Sequence, residues 1–332
     1  MGAGILVTLV FMNSPGIPGP TRRLDRDGIT RIEVGGPPQP IVAGQGAAWV
    51  HVGSRDGSEK LWRVDARTGE AVGVPGLIGI EWPAAGPEGV WVGVCPQGSG
   101  DLCPGGKIVR IEPVSLQALE EISSEQPFQI ATADGYVWAN VADEAGGMRL
   151  LKIDAATNRV VGRFACCEGV LAAGEGAVWV AQIDPATGEP TERAGLHDPE
   201  RDRLNACRLA AGEGAVWVTT CDGQADVLLR VDPETLKVTG RIRFDGLPRL
   251  AVGEGWVWVV EQPVHGPGNT LTLFRIDPQT LQRYEPVELS SGKPPEFSFY
   301  GPGPAPLFLD AGEGAVWVSD FVHGEVIRIV AP

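Results

Sequence analysis

A short phrase recurs through this chain: a small residue, a tight Gly-containing turn, an aliphatic residue and a tryptophan. It reads AGQGAAWV at 43–50, AGPEGVWV at 85–92, ADGYVWA at 133–139, AGEGAVWV at 173–180, 211–218 and 311–318, and VGEGWVWV at 252–259. The anchoring residues Trp49, Trp91, Trp138, Trp179, Trp217, Trp258 and Trp317 follow one another by 42, 47, 41, 38, 41 and 59 positions. A period of about 40 residues marks a repeat architecture, in which each unit buries its apolar face against its neighbours.

A second phrase follows most of the tryptophans. It reads LWRVDARTGEAVG from Leu61, IVRIEPVSLQALE from Ile108, LLKIDAATNRVVG from Leu150, LLRVDPETLKVTG from Leu228 and LFRIDPQTLQRYE from Leu273. Apolar and polar residues alternate up to the acid, as in a half-buried strand. The DPxT or DxxTG that follows is turn chemistry, with Asp bonding nearby backbone and Pro fixing φ. Each repeat therefore holds four short strands: A before the Gly turn, B with the tryptophan, C ending at the acid, and D after the second turn. Four antiparallel strands at this period are a β-propeller blade.

The termini set the number of blades. The last repeat runs out in EVIRIVAP, a strand C with no strand D after it, whereas Ile29–Val34 precedes the first repeat with no strand A or B of its own. Pairing of the two would close a ring and remove exposed sheet edges. The fold expected is all-β, a seven-bladed propeller of four-stranded antiparallel blades closed by an N-terminal strand in the last blade. With 46 Gly and 28 Pro in 332 residues and almost no helical periodicity, residues 25–332 read as one domain. The net charge of −15, from 27 basic and 42 acidic residues, argues against a nucleic-acid or anionic-membrane surface, which needs a basic footprint.

The alternation of AGEGAVWV with LLRVDPETLKVTG resembles the YVTN-type and streptogramin-lyase-like seven-bladed propellers of bacteria, over residues from about 25 to 332. That resemblance implies the fold. The group includes lyases, sugar-lactone hydrolases, cofactor-dependent dehydrogenases and binding scaffolds, so it does not choose an activity. Streptogramin lyases are thought of as using His and Glu with a metal for an elimination. No motif of theirs matches here residue by residue, and no catalytic position is carried over.

Loop lengths distinguish the two ends of such a ring. The A–B and C–D turns are short and repetitive and share one end. The long insertions fall in the B–C and D–A loops at the other: CPQGSGDLCPGG from Cys95, residues 184–205, EQPVHGPGNT from Glu261, and SSGKPPEFSFYGPGPAP from Ser290. Binding residues concentrate in loops on a rigid scaffold, so a ligand is expected at the channel mouth on this decorated face. Nine positions before the motif tryptophans, on strand A, stand Pro40, Trp82, Gln129, Val170, Arg208, Arg249 and Phe308. With Glu81 and Asp310 nearby, Trp82, Gln129, Arg208 and Arg249 form a candidate aromatic and cationic pocket. The bland alternative is a set of polar residues solvating a channel.

Histidine is scarce. His51, two after Trp49, reads as a satisfied strand residue, and His197 as an exposed one in an insertion. His265 and His323 lie in B–C loops of adjacent blades with Glu261 and Asp320 close in sequence. Two imidazoles and two carboxylates on one rim would bind a divalent metal or supply a general base, although no local ligand motif such as HExxH occurs. The recurrent Glu175, Glu213, Glu254 and Glu313 of the Gly turns, and Asp65, Asp154, Asp232 and Asp277 of the second turns, are a blade apart from one another. They read as turn residues rather than a calcium array.

Six cysteines lie near the decorated face. Cys95 and Cys103 bracket one loop and would close it. Cys207 and Cys221 would form a cross-strand bridge, and the adjacent Cys166 and Cys167 would pair together or with those two, a connectivity left open. The fourth repeat is irregular, its DPATG following Trp179 by only five residues, and four of the cysteines flank or follow it. Disulfides there imply an extracytoplasmic compartment. Residues 1–24 combine an apolar run, Ala3–Met12, with a Pro/Gly linker; without a basic n-region they read as a truncated signal or a membrane anchor. The function expected first is a monomeric, non-enzymatic propeller binding a small molecule or a protein partner on the decorated face. The alternative is a lyase or hydrolase at the channel mouth, metal-assisted through His265 and His323.

Overall fold

The computed structural model describes residues 22–24, 28–53, 59–77, 79–95, 103, 105–142, 147–165, 171–179, 182–183, 206–220, 226–262, 270–290 and 307–332. Every described element is a strand, and every described pairing is antiparallel. Five stretches of chain form sheets of four strands in sequence order, beginning at Pro38–Gly44, Ile80–Gly86, Gln126–Ala133, Ala206–Gly212 and Leu247–Gly253. A three-stranded sheet of Ala172–Gly174, Ala177–Trp179 and Gln182–Ile183 lies at the irregular fourth repeat. Leu309–Gly312, Ala315–Asp320 and Glu325–Val330 form the last sheet in the chain, and Ile29–Glu33 pairs along Glu325–Val330 from Ile29↔Ile329 to Glu33↔Glu325. Arg22–Leu24, read from sequence as linker, pairs outside Ile29–Glu33 as a fifth strand.

The repeat phrase folds as a two-residue hairpin. Gln45 and Gly46, Asp134 and Gly135, Glu175 and Gly176, Glu213 and Gly214, Glu254 and Gly255, and Glu313 and Gly314 all have positive φ, as both central residues of a type I′ turn must. Glutamate is an unusual choice there, because a left-handed non-Gly residue costs about 1 kcal/mol or more and Asn or Asp tolerate it best. Its length explains it. Glu175 Oε1 accepts the N–H of Gly214 at 3.0 Å, Glu213 that of Gly255 at 2.9 Å, and Glu254 that of Gly314 at 3.0 Å. Each reaches the turn of the next sheet. Glu88 does the same for Gly135 at 2.9 Å, and Gln45 Nε2 donates to the Gly86 carbonyl at 2.6 Å.

The second turn is held locally. Asp65 Oδ1 accepts the N–H groups of Arg67 and Thr68, and Asp232 Oδ1 those of Glu234 and Thr235. Leu236 and Leu281, in left-handed conformation, complete two of these turns. The motif tryptophans sit in the cores between sheets, with Trp49, Trp91, Trp217 and Trp317 fully buried. Five indoles, of Trp49, Trp179, Trp217, Trp258 and Trp317, donate Nε1 to the Gly carbonyl five residues back, tying strand B to the start of its own turn. Except for Trp179, which faces Gln182, the cross-strand partner is basic, as in Trp91↔Arg110 and Trp317↔Arg328, with guanidinium carbons 5.2 and 5.5 Å from the ring centres.

Candidate functional site

The first strand of each sheet packs against the first strand of the next, and Leu309–Gly312 of the last packs against Pro38–Gly44 of the first. Gly residues allow the close approach: a Cβ on Gly44 would lie 3.0 Å from Ala85 Cβ, and one on Gly312 would lie 3.1 Å from Ala43 Cβ. These strands line a cavity of about 280 Å³ to which each of the seven sheets among the described residues contributes. Small residues such as Ala84, Ala131, Ala173, Ala210 and Ala251 line its walls.

Larger side chains gather where the strands begin. Trp82, Gln129, Arg208, Arg249 and Phe308, each nine positions before its motif tryptophan, lie along the cavity, as does Asp310, seven before Trp317. The Trp82 and Phe308 rings meet edge to face with centres 5.3 Å apart, and the Arg208 guanidinium lies 5.8 Å from the Phe308 ring centre. Burial, followed by the charge of the adjacent Arg249, lowers the Arg208 pKa to about 10. Gln129 Oε1 accepts the Leu171 N–H at 2.7 Å, which fixes the carboxamide against the wall. Asp310 Oδ2 accepts the Ala43 N–H at 2.7 Å, and desolvation of this half-buried carboxyl raises its pKa to about 6 despite that bond.

Glu81 is a correction to the expected pocket: it is not among the lining residues. It precedes Trp82 within the register shift between Ile80 and Pro83, and its Cβ faces Gly93 on the neighbouring strand. Burial and then the negative charge of Glu59 raise its pKa to about 7. Glu59 also faces His51, 3.7 Å from Oε2 to Nε2. His51 is buried as expected, but its Nε2 has no hydrogen-bond partner among the described residues, and burial lowers its pKa to about 4. Pro40 does not line the cavity either; Ile41 and Val42 do, after a register shift between Pro38 and Ile41.

The expected metal rim does not gather among the described residues. Asp320, with its side chain fully buried, accepts the His323 N–H at 3.2 Å through Oδ1 and contacts His323 Nδ1 at 2.8 Å through Oδ2, closing a four-residue turn. Glu261 Oε1 accepts the N–H groups of Asp245 and Gly246 at 2.6 and 2.7 Å, holding the connection between two sheets. Both carboxylates bond backbone, and no group of three or more His, Cys, Asp or Glu able to hold a metal occurs among the described residues. His265, His197, Val170, Cys166, Cys167 and Cys221 lie outside the described residues, as do most of the long insertions; Cys207 lies at the start of a strand but its side chain does too. Cys95 and Cys103 form the disulfide expected of them.

No protein-family model matches the chain, and no curated protein matches it. Solved structures do. AztD from Citrobacter koseri is 12% identical at a TM-score of 0.53, over 89% of this chain and 86% of that one. BamB from Moraxella catarrhalis is 14% identical at 0.51, over 95% and 94%. A chain of the mitotic checkpoint complex is 9% identical at 0.60, over 99% and 100%. At such identities the likeness speaks for the fold alone, and together with the antiparallel sheets it makes this chain a β-propeller.

Proposed function

We propose that the protein is a seven-bladed propeller, its ring closed by Ile29–Glu33, that binds a small ligand in the cavity at the end where strand A begins. The pairing of Ile29–Glu33 with Glu325–Val330 supports closure. So does the contact of the last sheet's inner strand with the first's. Its repeat phrases resemble those of the YVTN-type and streptogramin-lyase-like propellers. The Cys95–Cys103 disulfide supports an extracytoplasmic location, since such bonds persist in oxidising compartments.

One observation carries the ligand site. Trp82, Gln129, Arg208, Arg249 and Phe308 come from five different sheets to one end of one cavity. Most of the remaining lining is small and apolar. Convergent polar groups in a mostly apolar concavity are the general form of a small-molecule site. The convergence of these side chains supports a binding role. A thermal-shift screen of small acids, bases and neutral compounds tests it. Compounds that raise the melting temperature should lose their effect in Ala210→Leu, which fills the cavity without altering charge, and keep it in Glu213→Gln at the opposite turns. Equal shifts in Ala210→Leu would place binding elsewhere.

A further inference from the structure

A second polar group lies outside the cavity. His51 on Ala47–Val52, Glu59 just before Lys60–Asp65 and Glu81 on Ile80–Gly86 come together from the first two sheets, and none of the three lines the cavity. The His51 side chain is only 6% exposed, and its Nε2 lies 3.7 Å from Glu59 Oε2, too far for a hydrogen bond. That nitrogen is buried without a hydrogen-bond partner among the described residues. A buried polar atom left so is costly, and one donor set between the two groups would bond both.

The group is short of positive charge. Glu59 lies within electrostatic reach of Glu81 and makes it harder to ionise. Pro38–Gly44, Ala47–Val52, Gly89–Val94 and Gln126–Ala133 pack against the Glu81 strand, and His51 is their only titratable residue. Burial keeps that imidazole neutral at pH 7. On the strand that follows Glu59, Arg63 is paired with Asp65 and Lys60 is exposed. What the three residues offer together is acceptors, two carboxylates and an imidazole nitrogen. A primary ammonium is their complement, with three N–H donors on one positive charge. The room is small, since a Cβ on Gly93 would lie 3.0 Å from Pro127 and 3.3 Å from Glu81 Cβ. Glu59, its side chain 22% exposed, leaves the group open to solvent.

We propose that His51, Glu59 and Glu81 bind the ammonium head of a small primary amine, at a site separate from the cavity. Isothermal titration calorimetry of the full chain at constant ionic strength, against methylammonium and tetramethylammonium, tests it. The second ion carries the charge but no N–H. Methylammonium should bind roughly tenfold or more tightly. Its affinity should fall as the pH drops through about 7, where Glu81 takes up a proton. Glu81→Gln should abolish the preference, and Ala210→Leu, in the cavity wall, should leave it intact. Because the two ions are compared on the unaltered chain, the test stands even where Glu81→Gln misfolds. Equal binding of both ions, or no binding of methylammonium, would overturn the site and leave water as the bridge between these groups. Loss of methylammonium binding in Ala210→Leu would place the amine in the cavity and overturn the assignment, while the ligand-site reading of the cavity would stand.

Discussion

Asp310 Oδ2 accepts a 2.7 Å hydrogen bond from the backbone N–H of Ala43, joining the inner strand of the last sheet to that of the first across 267 residues. A carboxylate drawn partly out of water is costly unless bonded, and this one lines the cavity. Asp310→Asn keeps an acceptor and should leave stability at neutral pH within about 1 kcal/mol of the parent. Asp310→Ala strands the Ala43 N–H and should cost about 1–3 kcal/mol in denaturant unfolding.

The same carboxyl gives stability a pH dependence with a definite sign. Asp310 has its pKa raised from 3.8 to about 6, and Glu81 from 4.5 to about 7. Each holds its proton more tightly in the folded chain, so its stabilising contribution is full below its unfolded value and is lost as pH rises through the folded one. His51, lowered from 6.5 to about 4, acts oppositely: its contribution is full above 6.5 and is lost as pH falls through 4. Melting curves between about pH 7.5 and about pH 5 should show less gain on acidification in Glu81→Gln than in the parent, and more in His51→Gln. The reverse order would refute these environments.

Trp217 is fully buried, with its indole N–H on the Gly212 carbonyl at 3.2 Å. Trp217→Ala should destabilise by roughly 3–5 kcal/mol through the cavity it leaves. A loss below about 1 kcal/mol in equilibrium unfolding would show that the repeated tryptophan is not core.

The turn glutamates test whether neighbouring sheets are coupled at their turns. Glu213 is held in left-handed conformation, with φ of 55°, while its Oε1 bonds Gly255 of the next turn. Glu213→Gln keeps the acceptor and should be close to neutral. Glu213→Asn suits the backbone better but is too short to reach, and should cost about 0.5–1.5 kcal/mol against Gln despite its easier φ.

Glu261 distinguishes a turn-holding role from metal binding. Its Oε1 takes two backbone N–H groups, so Glu261→Gln should retain stability, and Glu261→Ala should lose about 1–3 kcal/mol. Chelator treatment of the parent should leave the melting temperature unchanged. A chelator-sensitive melt with an equally weakened Glu261→Gln would restore the metal reading.

The strand plan was legible because the antiparallel ladder fixes positions relative to each tryptophan. Counting back nine residues reached Trp82, Gln129, Arg208, Arg249 and Phe308, all of which line the cavity. The count failed at Pro40, where the register shifts between Pro38 and Ile41 without any mark in composition. The links from Glu175, Glu213 and Glu254 to the following turns were not read, because their partners lie 39, 42 and 60 residues away. A signal was present nonetheless: Glu recurs where a type I′ turn prefers Asn or Asp. The backbone hydrogen bonds of Glu261 and Asp320 are not legible in the sequence, because a carboxylate that bonds backbone and one that binds metal look alike there. The grouping of Glu59 with Glu81 and His51 joins residues of two repeats that lie outside the recurrent phrases.

The most direct measurement is a crystal structure of the full chain soaked with a compound that raises its melting temperature. The account predicts the compound in the cavity, against Trp82, Gln129, Arg208, Arg249 and Phe308. An empty cavity at saturating compound, or binding only on the outer strands, would contradict it.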